Sequence, residues 1–198
     1  MFNKIWNGLH QGSLPRQFLF YSLRVASVVV GLLGVFLLIG FAIQIGSGLN
    51  IGRLVAGLLI LPIYLLGLAF LVSNLWKRAG ELRSISPGEH PATDIGVVML
   101  RLGGETLATV QAVTGLAGAI LIWFTGRLAF ELFPFLGLPF FRPILYGEPV
   151  RILLAGLFTL GLWLGLAAIC LLGHYMLAEL VIIFKGIFKN TQKLPAES

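Results

Sequence analysis

The sequence predicts an all-α fold: a polytopic membrane protein with four transmembrane helices in a bundle. Three observations predict it. The 198 residues are 58% hydrophobic and 11% charged, against about 25% charged in an ordinary soluble domain. Four apolar runs each exceed the roughly 20 residues that cross a hydrocarbon core. The basic residues behind the net charge of +6 flank those runs instead of gathering on one segment, which speaks for topology and against a nucleic-acid partner.

Taken in order, the chain reads as a single integral membrane domain over residues 1–198. Residues 1–12 place Phe2, Ile5, Trp6 and Leu9 on one helical face opposite Asn3, Lys4, Asn7 and Gln11, as in an amphipathic helix lying in the headgroup region. Ser13 then caps a new helix with Pro15 in its first turn. The first span covers about 18–45 and is expected to double as the insertion signal. Ile45-Gly-Ser-Gly-Leu-Asn50 is a tight turn by composition. The second span covers 53–76, with Pro62 bending it because the ring removes one backbone hydrogen bond. Residues 77–93 form a polar loop turning at Ser86-Pro87-Gly88, and Thr93 or Asp94 caps the third span, 95–127. Residues 130–149 are rich in Phe but broken by Pro134, Pro139, Pro143 and Pro149, which fits an outer loop and not a fifth span. The last span covers 151–185, and the tail 190–198 reads as disordered. Arg53-Leu-Val-Ala-Gly57 resembles Arg151-Ile-Leu-Leu-Ala-Gly156 at the same topological place, the pattern of two repeated helical hairpins.

Orientation follows from the cations. If four spans alternate, only Arg53, Arg127, Arg142 and Arg151 fall on the side opposite all other Lys and Arg residues. The positive-inside rule then puts both termini and residues 77–93 in the cytoplasm.

Polar residues inside the runs mark the interior. Lipid gives helices no hydrophobic reason to associate, so small residues and a few polar contacts must do it. Stripes of this kind begin at charged residues: Arg24, Ser27, Gly31 and Gly34 on the first span; Arg101, Glu105, Ala108, Ala112 and Gly115 on the third; Glu179, Tyr175, Gly165 and Gly161 on the last. Turning these inward brings Arg24, Arg101, Glu105 and Glu179 together as an intramembrane charge cluster. The preferred role is a structural clamp, so Glu179→Gln is expected to lower bundle stability. A proton or ion relay is the functional alternative.

His174 lies near mid-depth, some 140° around the helix from Glu179. The preferred reading is a histidine bonded to a backbone carbonyl or a neighbouring subunit. Ligation of a haem or chlorophyll is the alternative, and a bis-histidine haem is excluded because His10 and His90 belong to polar segments. The lone Cys170 offers neither a disulfide nor a metal pair. No P-loop, G-x-S-x-G, H-E-x-x-H or cysteine pair occurs, so the sequence argues against an enzyme and implies no metal or other cofactor.

The stretch from His174 to Leu194, with Glu179, Phe184 and Asn190, resembles the closing span of a group of small bacterial membrane proteins without an assigned activity. Those proteins carry an acidic residue, a Phe and an Asn at similar spacing, and Tyr175 stands where they usually have Arg. The resemblance implies a bacterial inner-membrane setting. The function expected from all this is that of a non-catalytic integral membrane subunit or scaffold, packed against other membrane proteins and anionic lipids. The alternatives are a small homo-oligomeric transporter or channel with Glu179 near its pathway and, third, a pigment-binding subunit.

Overall fold

A computed structural model describes residues 13–46, 51–85, 91–125 and 149–191. They form four helices, α1 (Ser13–Gly46), α2 (Ile51–Ser84), α3 (Pro91–Thr125) and α4 (Pro149–Thr191), with no strand among the described residues. Each is long and apolar enough to cross a membrane. An unbroken helix is what hydrocarbon demands, because it satisfies every backbone group within one segment. The amphipathic segment 1–12, the Phe-rich stretch before Pro149 and the tail after Thr191 lie outside the described residues.

Three boundaries differ from those the sequence suggests, and all lengthen helices. α2 continues to Ser84 where a loop from Lys77 is expected. The reason is an apolar stripe that runs on through Leu75, Ala79 and Leu82, of which Ala79 and Leu82 are fully buried. α3 starts at Pro91 instead of after Asp94, which puts Asp94 in the first turn, where the helix dipole favours a carboxylate. α4 continues past Lys185 to Thr191. Pro62 sits inside α2 on an exposed face without ending the helix.

The chain divides into two compact units, each containing a segment of all four helices. The first, called here the charged unit, comprises Met1–Val29, Leu71–Leu107 and Ile169–Ser198. Its core joins Leu23 of α1, Ala79 and Leu82 of α2, and Ile95, Val98 and Leu102 of α3. The second, the apolar unit, comprises Val30–Phe70 and Ala108–Ala168. Its core joins Ala56 and Ile60 of α2 to Ala117 and Leu121 of α3, with Phe41 and Tyr64 packed against them.

In the apolar unit the helices meet through glycines facing large side chains. Gly34 of α1 lies against Leu68 of α2, and Gly67 of α2 against Val113 of α3. A Cβ on Gly115 would lie 2.5 Å from the Cβ of Trp163, so only glycine lets α3 and α4 approach this closely there. Trp123 covers Gly156 in the same way and donates its indole N–H to the Leu153 carbonyl at 3.2 Å. Gly57 and Gly156, equivalent in the two similar segments, are both buried. α3 is the most buried of the four helices, with 33% of its most apolar window covered against 11% for α4.

Candidate functional site

The charged unit holds the polar side chains that the sequence singles out, in a different set of pairs. Its centre is Arg78 of α2, 4% exposed, a residue that a loop from Lys77 would have left in water. Arg78 faces Glu105 of α3 in a bidentate pair, Nε to Oε2 at 3.1 Å and Nη2 to Oε1. Its Nη1 donates to Glu81, one turn on, at 2.5 Å. Tyr175 of α4 closes the group: its hydroxyl donates to Glu105 Oε1 at 2.6 Å and accepts from Arg78 Nη2 at 3.0 Å. One carboxylate thereby ties α2, α3 and α4 together.

Arg101 and Glu179, expected as partners, do pair, at 2.8 Å. This bridge is less enclosed than the Arg78 group, with the Glu179 side chain 57% exposed against 13% for Glu105. The Arg101 guanidinium also stands 5.7 Å from the centre of the Tyr175 ring. Arg24 does not join the carboxylates. Its guanidinium lies 3.2 Å from the centre of the Trp76 ring and 5.4 Å from that of Phe20, where aromatic faces take the place of a counter-ion. The expected four-residue cluster is thus redistributed, because the longer α2 brings Arg78 to Glu105 and leaves Arg24 facing Trp76. Lys185 of α4 bonds Asp94 of α3 at 2.5 Å and adds a further tie.

The packing residues divide in the same manner. Ser27 is buried and donates to the Arg24 carbonyl at 2.8 Å, Gly34 and Gly115 make close approaches, and Gly31, Ala108 and Ala112 are half-buried. Gly161 and Gly165 are the correction. Both are exposed, and a Cβ on either would meet nothing within 4 Å. The inward face of α4 instead follows Gly156, Trp163, Ala167, His174 and Ala178, a regular alternation of seven- and four-residue steps. That spacing is visible in the sequence, but the charge at Glu179 draws the eye to the neighbouring face.

His174 packs its Cβ against Gly104, where a built Cβ would lie 2.6 Å away, and its Nδ1 is 2.8 Å from the Cys170 carbonyl. A carbonyl only accepts, so Nδ1 carries the proton and Nε2 is the nitrogen with a lone pair. Nε2 stands 3.6 Å from the position of a Gly103 Cβ. The ring's ligating edge is therefore turned toward α3, a geometry that fits a packed histidine better than the axial ligand of a flat macrocycle. Among the described residues no three His, Cys, Asp or Glu side chains gather as a metal site.

Chemically, the Arg78 group is a lock. Glu105 is engaged by two guanidinium donors and a phenol. Fold and site together define a multi-pass helical membrane protein whose helices are clamped at one set of ends by a buried ionic group. No family model matches the chain, and comparison with curated proteins and with solved structures finds no significant match.

Proposed function

We propose that this chain is a non-catalytic integral subunit or scaffold of the bacterial inner membrane, with both termini cytoplasmic, that packs against other membrane proteins through α4. The observation that carries the reading is the outward Gly161-x-x-x-Gly165 step, continued by the exposed Ala168. A glycine inside a helix costs about 1 kcal/mol relative to alanine. On a face that meets nothing among the described residues, the pair favours the close approach of a second helix. The large apolar side chains around it, Leu157, Leu164, Leu172 and Met176, are exposed as well. The engaged state of the Arg78 group supports a structural role over transport, and the set of His174 against Gly103 and Gly104 supports a packing role for that histidine.

The test is purification from the native membrane in mild detergent, with an absorption spectrum and mass spectrometry of what accompanies the chain. A stoichiometric membrane partner, lost when Gly161 and Gly165 are both changed to Leu, is expected. A lone, colourless protein that conducts an ion in liposomes, with flux altered by Glu179→Gln, replaces the subunit reading with the transporter.

A further inference from the structure

At the end of the charged unit where α1 begins and α2 stops, a cleft of about 370 Å³ is lined by Arg16, Gln17, Phe20, Tyr21 and Arg83. This volume falls at the lower end of the roughly 300–1,000 Å³ typical of small-molecule sites, enough for a headgroup and more than a bare ion needs. Its charge is one-sided. α1 contains no acidic residue, and Glu81, on the same helix as Arg83, is already bonded to Arg78. Arg16 also stands in the first turn of α1, where the helix dipole is itself positive.

Arg16 is tied to α2, and Arg83 lies near the ring of Phe20. Arg16 donates from Nη1 to the Ile85 carbonyl, just beyond the end of α2, which engages one of the five guanidinium donors. Arg83 stands 5.7 Å from the centre of the Phe20 ring, and Arg24 stands 5.4 Å from the same ring. Phe20 is therefore braced by two guanidiniums, and it packs edge-on with Tyr21 at 5.1 Å between ring centres. The level along the membrane normal also fits. The long uncharged part of α1 begins after Arg24, eight residues or about 12 Å beyond Arg16. Tyr21 and Phe18 are exposed at this boundary, where aromatic rings settle beside headgroups.

We propose that Arg16 and Arg83, with Gln17 and Tyr21 as polar neighbours, form a binding cleft for the phosphate of an anionic phospholipid headgroup, whose acyl chains run down the exposed face of α1. Guanidinium forks match phosphate oxygens and form charge-assisted hydrogen bonds with them. The site is independent of any partner on α4.

The experiment uses the full chain in mild detergent, titrated separately with a short-chain phosphatidylglycerol, the matching phosphatidylcholine and inorganic phosphate. Unfolding temperature and native mass spectrometry give the readouts. Phosphatidylglycerol is expected to be retained and to raise the unfolding temperature well beyond the effect of phosphatidylcholine. Arg83→Gln should weaken that binding roughly fivefold, and Arg16→Gln with Arg83→Gln roughly 25-fold. Arg83→Lys, which keeps the charge without the fork, should fall between wild type and Arg83→Gln, and Lys189→Gln on α4 should leave binding unchanged. Arg16→Gln also removes the tie to Ile85, so Arg83→Gln, with its unfolding temperature measured without lipid, is the deciding variant. Equal lipid retention by wild type and Arg83→Gln overturns the proposal. An equal shift with inorganic phosphate overturns the lipid assignment in favour of a free-phosphate site.

Discussion

The charged unit and the apolar unit join segments of the same four helices by opposite means. In the charged unit, guanidinium, carboxylate and phenol span the gaps: Arg78 to Glu105 and Tyr175, Arg101 to Glu179, Lys185 to Asp94. In the apolar unit no described residue is acidic, and the helices close on each other through Gly34, Gly67, Gly115 and Gly156. The difference follows from what each environment charges for polarity. Where charged side chains come within reach of each other a buried ion pair is tolerable and sets register, whereas among apolar side chains dispersion between close-packed surfaces is the cheaper adhesive. The contrast teaches that a single helix can carry both devices in succession. α3 does so, with Glu105 in one unit and Gly115 in the other.

The largest effect that can break this contrast is expected at Glu105. Replacing it by Ala leaves the buried Arg78 with Glu81 and the Tyr175 hydroxyl, and equilibrium unfolding in detergent should show a loss of about 3 kcal/mol. Replacing Arg78 and Glu105 together by Met should cost less than Glu105→Ala, since no charge is then stranded. Equal losses in the two variants would show that the pair does not act as an ionic clamp. A middle effect belongs to the glycines. Gly115→Ala pushes against Trp163 and should cost about 1–3 kcal/mol. Gly161→Ala meets no neighbour and should not destabilise the isolated chain, raising its stability by up to about 1 kcal/mol. Were Gly161→Ala as costly as Gly115→Ala, the outward placement of that face of α4 would be wrong. A small effect is also expected at Glu179, where Gln keeps an acceptor for Arg101 and should cost clearly less than Glu105→Ala. A loss as large as that of Glu105→Ala would move the clamp back to Glu179, where the charge pattern alone puts it.

Much of the fold was legible in advance, and particular residues show where legibility stopped. Four apolar runs predict four helices with little ambiguity. The end of α2 was missed because Lys77, Arg78, Glu81 and Arg83 give the segment a loop-like polarity, although Leu75, Ala79 and Leu82 keep the helical period beneath it. That single boundary governed the site: a helical Arg78 takes Glu105, and Arg24 goes to Trp76. Arg101 and Glu179 were legible as members of one charge cluster because both lie in apolar runs at matching depth, while their pairing apart from Glu105 was not. The Gly161 and Gly165 face was misdirected, since small-residue spacing identifies a surface suited to contact without saying whether the neighbour is the same chain or another.

By itself, the sequence determined that this chain is helical and membrane-spanning, because hydrocarbon admits no unpaired backbone and so leaves a long apolar run no other form. It also marked Arg24, Arg101, Glu105 and Glu179 as residues that need partners, since an isolated charge in an apolar run is costly wherever the run goes. Tertiary structure alone decided who the partners are. Rotation of α4 by nearly half a turn separates an inward Gly161 from an inward Trp163, and such a rotation is set by how whole side chains fill the space against α3, not by the period of any one helix.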